Sequence, residues 1–477
     1  MNQIYTLFTV MTLSLATAIA GVIDIGSRRE LFVDQHMIHE ITGDARLQLH
    51  RPEPQEVVLV TGEPWEGNTS AYYTIFQDGD LYRMYYRGSN WDVEARKATH
   101  PEVTCYAESR DGINWTKPNL GIVEYEGSKQ NNIILDGIGT HCFVAFKDGN
   151  PDAPPEARYK GISRGRPLGK KGLYVYQSPD GIHWKLIRNE PVITEGAFDS
   201  QNLAFWDPRI GKYREYHRIF VNRVRAIMTG TSDDFVNWTD PVLLKYPGAP
   251  NQHLYTNAIQ AYHRAPHILI GFPTRYLPDE GQRVEPIFMA SRDGLTFHRW
   301  NDPVIPETAP KDRAGNRSNY MTWGLLELPD RPGEMSVYAS EAYYEGPDTR
   351  LRRFSFRSDG FVSASGGPGG GDLVTHALKF SGSRLEVNFR ARPGGQLRVE
   401  FQDQEGAPIP GYSLVDCPAL TGDSTRIIVN WKQCPCSQET PSEEETIQPD
   451  VGSLAGQTIR IRFRLENADL YSFRFSD

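Results

Sequence analysis

A short phrase built around an aspartate returns five times along the chain and constrains the fold more than any other feature. It reads ESRDGINW, QSPDGIHW, TSDDFVNW and ASRDGLTF, with a degenerate fifth copy FRSDGFVS, at residues 108–115, 177–184, 231–238, 290–297 and 356–363. The aspartates are 54 to 69 residues apart, and four copies place Trp or Phe four residues later. Repeats of this size, rich in strand residues and poor in helical pattern, predict a β-propeller with one four-stranded blade per repeat.

The phrase itself is interpreted as structural rather than catalytic. Asp-Gly suits a tight hairpin turn, because Gly adopts positive φ and the Asp carboxylate caps nearby backbone N–H groups. The aromatic residue that follows is expected to pack in the apolar layer between blades.

Five strand–turn–strand units define the expected blades, at residues 72–88, 141–165, 202–220, 257–276 and 321–344. The early segment ELFVDQHMI (30–38) has no blade of its own. We expect it to close the ring by pairing with the last blade, which would remove open sheet edges.

The repeat stops after residue 362, where SASGGPGGGD (363–372) reads as a Gly-rich linker. Beyond it, segments such as LEVNFRA, LRVEFQD and TIRIRFRL alternate apolar and polar residues, as half-buried antiparallel strands do. The predicted fold class is therefore all-β: a five-bladed β-propeller over 21–362, followed by a jelly-roll-like C-terminal β-sandwich over 373–477.

The first 20 residues predict the compartment. They are apolar and end in Ala-Ile-Ala, which indicates a secretory signal peptide cleaved before Gly21. No later stretch is apolar for the ~18 residues that a membrane-spanning helix needs. We therefore expect a secreted or periplasmic protein without membrane insertion, as a monomer or a small homo-oligomer.

The charge balance excludes some partners. The formal net charge is −9, and no dense basic run occurs in the chain. Nucleic-acid binding depends on Lys and Arg neutralising phosphates, so it is not expected, and neither is binding to an anionic membrane surface.

Five cysteines are present, and export permits disulfides. The odd count leaves at least one thiol unpaired. The CPC sequence at 434–436 is too tight for the usual zinc spacings, so it indicates a local disulfide to Cys417 or free thiols, and no metal site is predicted.

The candidate site lies where the first strand of every blade converges on one central funnel. Residues at these positions include acids, aromatics and an Arg, a mixture that suits a carbohydrate, since aromatic faces stack on sugar rings and carboxylates hold hydroxyls. The candidates for substrate binding, in chain order, are Trp65, His141, Asn202, His253, Tyr255, Arg275, Arg317, Trp323 and Glu341.

Hydrolysis of a glycosidic bond needs two carboxyl groups across the scissile bond. Glu66 and Asp199 are the predicted pair, and Asp136 is predicted to orient the sugar or to raise the pKa of the acid through like-charge proximity. A separation of about 5–5.5 Å would indicate a retaining enzyme and roughly 6.5–9.5 Å an inverting one.

Each candidate also has a structural interpretation. Glu66 could cap a turn, Asp199 could form an Asx-turn, and Asp136 lies in another Asp-Gly turn. His141 and His253 could be ordinary core or loop histidines. A further group of residues at or after second strands could either reach an anionic substrate or serve strand pairing: Arg87, Arg218 and Arg275.

Several enzyme classes are excluded by absent motifs. The chain has no G-x-S-x-G, no H-E-x-x-H, no phosphate-binding G-x-x-x-x-G-K and no dinucleotide fingerprint.

With its S-x-D-G-x-x-W turns and five units, the chain resembles the five-bladed propeller glycosidases of the invertase, levansucrase and arabinanase superfamily. Through RELFVDQHMI, LHRPEPQEVVL, PWEGN, YRMYYRG and NADLYSFRF it is also similar to secreted bacterial proteins labelled glycosyl hydrolase-like. The superfamily resemblance implies an acidic residue on the first strand of blades one to three, which by position are Glu66, Asp136 and Asp199. The superfamily usually has Asp on blade one and Glu on blade three, the reverse of this chain.

The functional hypothesis is a secreted glycoside hydrolase acting on a plant or algal poly- or oligosaccharide. A non-catalytic, lectin-like propeller is the main alternative. A sialidase has a similar turn, but sialidases use six blades and an arginine triad, whereas five units are counted here. No cofactor is required; the superfamily sometimes holds calcium in its funnel, but no motif in this chain indicates it.

Overall fold

The computed structural model describes residues 21–165, 169–305, 320–432, 447–448 and 450–477. The predicted signal peptide, Arg317, Cys434 and Cys436 lie outside these residues. Within them the chain is almost entirely β, with two short 3₁₀ turns at Pro155–Ala157 and Gly452–Leu454. No helix in the described ranges is long and apolar enough to cross a membrane.

The predicted five-bladed propeller is confirmed. Blades one to three are antiparallel meanders that run outward from the axis in chain order. Blade one contains Ala71–Asp78, Leu81–Gly88, Val103–Ser109 and Trp115–Thr116, with Ile133–Leu135 added to its third strand and a small hairpin of Trp91–Asp92 and Lys97–Ala98. Blade two contains His141–Lys147, Tyr159–Gly165, Gly172–Ser178 and Lys185–Leu186. Blade three contains Leu203–Asp207, Lys212–Val221, Val224–Ser232 and Val242–Leu243.

Blades four and five are less regular. Blade four contains Gln260–Tyr262, Ala265–Gly271, Arg283–Ser291 and His298–Pro303, extended by His253–Leu254 and Thr274–Leu277. Blade five contains Glu334–Glu341, Arg350–Arg357 and Glu53–Val60. Its innermost position is taken by residues around Met321 and Leu326, which make single bridges to Glu334–Glu341.

The ring is closed by a different segment from the predicted one. Glu53–Val60 pairs with Arg350–Arg357 as the outer strand of blade five. The predicted closing segment 30–38 instead belongs to the C-terminal sheets, because Glu30–Leu31 pairs with Arg460–Ser476. Phe32 explains this placement: it is fully buried and packs against Phe463 and Phe473 in the C-terminal core.

The C-terminal sheets are built from both ends of the described chain. The main sheet runs in the order Ile38–Gly43, Gly371–Thr375, Arg460–Ser476, Val362–Gly366 and Arg46–Leu49. The long strand Arg384–Gln402 joins Arg460–Ser476 to Asp423–Ile428. Two small pairs, Ile23–Gly26 with Leu378–Phe380 and Trp431–Lys432 with Ile447–Gln448, complete this part. One apolar cluster, distinct from the propeller clusters, forms its core.

The Gly-rich segment 363–372 is not a free linker, because most of it lies in two strands of the main sheet. Its glycines permit close packing of backbones. A Cβ on Gly366 would lie 2.5 Å from the carbonyl oxygen of Leu465, and one on Gly371 would lie 2.3 Å from the amide of Ala45. Glycine is therefore required here by contact rather than by flexibility.

The repeated phrase forms the predicted turns. The Oδ1 of Asp111 accepts hydrogen bonds from the backbone N–H groups of Ile113 and Asn114, at 2.8 and 2.7 Å. The same pair of bonds recurs at Asp180, Asp234 and Asp293. Although burial opposes ionisation, these hydrogen bonds lower the pKa of Asp111 to about 2.

The aromatic residue of the phrase packs between blades, also as predicted. The ring of Trp184 in blade two lies 5.0 Å from that of Phe143 and 6.0 Å from that of Tyr85 in blade one, both edge to face. The fifth copy differs, since Asp359 is fully buried and its carboxylate binds side chains, among them Arg29 and Arg264.

Three of the five cysteines are described. Cys105, Cys142 and Cys417 are buried free thiols. The proposed CPC partners of Cys417 lie outside the described residues.

Candidate functional site

The mouth of the funnel is shaped by irregular starts of the innermost strands. In blade two, Cys142 has φ +62° and the strand register shifts between His141 and Val144. In blade one, Tyr72 has φ +59° at an equivalent shift. Positive φ is uncommon for residues other than Gly, and bulges of this kind redirect side chains at the rims of barrels and next to active sites. Here the irregular strand starts carry His141 and Tyr72 at the mouth.

His141 lies at the centre of a side-chain relay that joins three blades. Its Nδ1 lies 2.8 Å from Oε2 of Glu102, which precedes the third strand of blade one. Its Nε2 lies 2.9 Å from Oδ1 of Asp199, in the loop before blade three. Each carboxylate also faces a guanidinium: Arg87 lies 3.3 Å from Glu102, and Arg164 lies 3.8 Å from Asp199. We call Glu102, His141 and Asp199 the relay.

The relay is charged throughout. Burial opposes the imidazolium, but Cys142, Asp199 and Glu102 outweigh it and raise the pKa of His141 to about 11. The hydrogen bond from His141 holds the pKa of Asp199 far below its usual range, although partial burial opposes this. The pKa of Glu102 is also lowered, since His141 and Arg87 overcome its burial.

The two carboxylates of the relay are not an open pair. The imidazole of His141 occupies the space between them, so no glycosidic bond fits there. Asp199 is the more accessible, with its side chain 57% exposed against 31% for Glu102. Its contacts with His141 and Arg164 both use Oδ1, so Oδ2 is the oxygen available to a substrate.

A group of four tyrosines lies beside the relay: Tyr72, Tyr255, Tyr320 and Tyr343. Tyr320 is central, with its ring 5.6 Å from those of Tyr255 and Tyr343 and 6.3 Å from that of Tyr72. Burial raises the pKa of Tyr72, Tyr320 and Tyr343 well above the usual value, so these hydroxyls stay neutral. We call this set the tyrosine cluster.

A cleft of about 450 Å³ opens beside the relay. It is lined by Glu102, the loop 137–140, His141, Arg164, Gly165 and Lys171. A sugar in this cleft would be in contact with the relay.

Five of the residues named from the sequence belong to this site: His141, Asp199, Tyr255, Arg87 and Arg218. Asn202 supports it from beneath, since its buried Nδ2 donates to the carbonyl oxygens of Phe198 and Ser200, both at 2.9 Å. These bonds fix the loop that carries Asp199.

Asp136 is exposed in the loop that precedes His141. It is not among the residues that line the cleft.

The structure does not bring Glu66 to the site. Its side chain is fully buried. Oε1 accepts a hydrogen bond from Tyr86 at 2.6 Å, and Oε2 accepts from Lys117 at 2.7 Å and from the amide of Glu63 at 3.1 Å. Tyr86 neighbours Arg87 on the same strand and therefore points to the opposite face. Glu66 is a satisfied structural carboxylate, so the predicted Glu66–Asp199 pair does not form.

The remaining candidates make structural contacts. Arg275 pairs with Glu285 at 3.0 Å, and Glu341 pairs with Arg352 at 2.6 Å. The indole N–H groups of two tryptophans donate to protein acceptors at 2.8 Å, from Trp65 to Asn132 and from Trp323 to the carbonyl of Ile259. His253 accepts from the amide of Arg225 at 3.3 Å, at the edge of the site.

Several residues of the site are not among those predicted from the sequence: Tyr72, Glu102, Arg164, Arg225, Tyr320 and Tyr343. The tyrosines could have been found, because each lies at the start of an innermost strand or just after a second strand. Glu102 precedes a third strand, where propeller topology does not predict a funnel residue.

We predict that His141 stays protonated from about pH 6 to about pH 9, where an ordinary histidine with a pKa of about 6.5 loses its proton. Its pKa of about 11 lies above the ordinary 6.5, so this pairing stabilises the fold at and below about pH 6.5 and loses that contribution as the pH rises through about 11. Imidazole ¹⁵N shifts would measure it, with His253 as the control, because burial and Arg225 lower the pKa of His253. Titration of His141 near pH 6.5 would contradict the relay.

No protein-family model matches the chain. Two uncharacterized proteins of Mycobacterium tuberculosis are each 26% identical to it over 173 residues, covering 35% of this chain. The match spans 47% of each relative, so the chain covers about half the length of the curated proteins it matches.

Among solved structures, the chain is similar to several named as glycosidases. A thermostable family-43 glycoside hydrolase is 15% identical with TM-score 0.43, covering 62% of this chain and 93% of that one. An endo-arabinase from Bacteroides thetaiotaomicron VPI-5482 is 9% identical with TM-score 0.41, covering 62% and 96%. A GH32 β-fructofuranosidase from Bombyx mori is 10% identical with TM-score 0.41, covering 90% and 94%. The five-bladed fold stands on the chain's own blades, and at these identities the likenesses leave its activity open.

Proposed function

We propose that this protein is a glycoside hydrolase that cleaves a saccharide at the mouth of its propeller. The observation that carries the proposal is the relay beside the tyrosine cluster: an accessible carboxylate, Asp199, held ionised by His141 next to a group of aromatic rings in contact with one another. Aromatic rings can hold a sugar ring, and the ionised carboxylate can act at its anomeric carbon.

The chemistry assigned to Asp199 follows from its charge. Glycosidic cleavage passes through a transition state with positive charge on the sugar ring, which a carboxylate stabilises, either by attacking the anomeric carbon or by activating water. A carboxyl group with a strongly lowered pKa is ionised at neutral pH, so it serves as nucleophile or base rather than as acid. The leaving oxygen would take its proton from a neutral hydroxyl of the tyrosine cluster. His141 and Glu102 are positioning residues, because they act on the substrate through Asp199.

A plant or algal polysaccharide is the proposed substrate, and export is part of the proposal. The apolar segment 1–20 supports secretion, and an exported enzyme meets extracellular polymers. The C-terminal sheets would support the propeller or bind carbohydrate.

The test is a screen of the purified full chain against a broad panel of plant and algal polysaccharides, scored for released reducing ends. We expect release from at least one polymer. Binding to a polymer without release from any would favour the lectin-like alternative. Cleavage of a fluorogenic sialoside alone would favour a sialidase.

A further inference from the structure

The mouth of the funnel carries more positive charge than the relay neutralises. Of the four arginines that the structure describes there, Arg87 faces Glu102 and Arg164 faces Asp199. Arg218 and Arg225, on neighbouring strands of blade three, form no ion pair with any residue that the structure describes. Two guanidiniums are therefore in surplus beside the catalytic carboxylate.

Arg218 is buried without full compensation. Its side chain belongs to a residue that is only 5% exposed, and its guanidinium lies 4.7 Å above the ring of Tyr255. Nε donates to the carbonyl oxygen of Ala197 at 3.0 Å, but Nη1 is buried and has no hydrogen-bond partner among the described atoms. Native proteins rarely leave a buried charged group in this state, because an unpaired charge in the interior is costly. Arg218 is also close enough to Asp199 to help lower its pKa.

Arg225 approaches the same ring from its own strand. Its guanidinium lies 5.1 Å from the ring centre of Tyr255 and 4.5 Å from that of Tyr276. Nη1 lies 3.3 Å from Nδ1 of His253, and Nε is buried without a hydrogen-bond partner in the described structure. Both guanidiniums thus flank Tyr255, within the tyrosine cluster.

We propose that Arg218 and Arg225 bind an anionic substituent of the saccharide, so that the substrate is an acidic polysaccharide. The shared chemistry is a planar or tetrahedral oxyanion, the carboxylate of a uronic acid or a sulfate ester, which the guanidinium fork matches with paired hydrogen bonds. This inference deepens the proposed function and rests on it for the location of the sugar. The negative charge of Asp199 would repel an anionic substrate. Two arginines without a counter-charge beside it would offset this repulsion and hold the anionic group.

Affinity electrophoresis in native gels tests it with matched polymers. The gels contain pectate or its carboxyl-reduced form, and a sulfated carrageenan or its desulfated form. The full-length Asp199→Asn protein is used so that the polymer is not digested. We expect at least one acidic polymer to retard it about tenfold more strongly than its neutral counterpart, the scale of losing a charged hydrogen bond.

The variants assign the effect to residues. Arg218→Gln and Arg225→Gln, each combined with Asp199→Asn, should weaken retardation about tenfold, whereas the exposed Arg188→Gln, which removes the same charge from the surface, should leave it unchanged. Arg225 is the safer variant, because it is less buried than Arg218. The comparison of acidic with neutral gels needs neither arginine variant.

The outcomes separate the two proposals. Retardation by pectate alone identifies a carboxylate, and retardation by carrageenan alone a sulfate ester. Equal retardation by neutral counterparts, no retardation in any gel, or unchanged retardation of both arginine variants would overturn the inference. Release of reducing ends from a neutral polymer alone would leave the proposed function standing and remove the inference. Binding of an acidic polymer without cleavage of any polymer would support the inference and contradict the proposed hydrolase function.

Discussion

Replacement of Asp199 by Asn is expected to lower kcat by about 10³-fold or more while leaving saccharide binding nearly unchanged. Asn keeps the size of the side chain and can still accept the hydrogen bond from His141, but it carries no charge. The loss therefore falls on the transition state, where an ionised carboxylate faces developing positive charge, and removal of one preorganised electrostatic group costs about 10²–10³ in rate. Because the substitution also removes the nucleophile or base, the expected decrease in kcat is larger than this.

The measurement is the rate of reducing-end release from the polymer found by the screen, with retardation in native gels as the binding readout. Asp136→Asn is the matched control, because it removes an exposed carboxylate from the loop that precedes His141. Its turnover should match the wild type. If the turnover of Asp199→Asn is within about tenfold of the wild type, this carboxylate is not the reacting group. Loss of a single stabilising electrostatic group already lowers kcat by about 10²–10³.

The propeller could be predicted because its signals are local. Asp111 and its three equivalents cap backbone groups only two and three residues away, so each turn can be predicted from a window of eight residues. The inter-blade position of Trp184 follows from the same window. Five such windows at similar spacing leave few folds other than a ring of sheets.

The site could be predicted only where topology alone places a residue. His141 begins a first strand and Asp199 precedes one, and propeller geometry brings such positions to the axis. Glu66 precedes a first strand as well, but its environment is decided by Lys117, 51 residues away, and by Tyr86. No local sequence pattern predicts that Glu66 pairs with Lys117 and therefore points away from the funnel. Glu102 was missed for the converse reason, because its position at the mouth depends on its contact with His141.

Ring closure was mispredicted because two N-terminal segments compete for the same edge. Both 30–38 and Glu53–Val60 have strand character, and either could complete blade five. The choice is made by burial in another part of the molecule, where Phe32 fills the C-terminal core and leaves Glu53–Val60 for the blade. Such a choice depends on tertiary packing that strand propensity does not contain.

Replacement of Asp359 by Asn is expected to cost about 3–5 kcal/mol of stability, the scale of breaking a buried ion pair. Asp359 is fully buried and connects the two parts of the chain. Its carboxylate lies 2.8 Å from Arg264 and accepts from Tyr262 at 2.6 Å, both in blade four. It also lies 3.2 Å from Arg29 and 2.7 Å from Ser472 of the C-terminal sheets. Asn would leave the buried Arg29 without a counter-charge, whereas the half-buried Arg264 would keep only its ion pair with Glu327.

Thermal unfolding of the full chain measures this loss, with Asp234→Asn as the control. Asp234 belongs to the same repeated phrase but is exposed, so its substitution should cost only about 1 kcal/mol, that of an ordinary turn hydrogen bond. A Tm decrease no larger than that of the control would contradict the role of Asp359 as the link.

The dependence on pH gives this prediction a second, independent check. Burial raises the pKa of Asp359, but Arg29 and Arg264 outweigh it, so the pKa in the folded protein is lowered. A lowered pKa gives stability that is complete above the unfolded value of about 3.9 and is lost as the pH falls through the folded value. The Tm difference between wild type and Asp359→Asn should therefore stay constant from about pH 7 to about pH 5 and shrink on further acidification. A difference that instead grows as the pH falls would mean that the carboxyl group is buried in its neutral form, and Arg29 would then require another counter-charge.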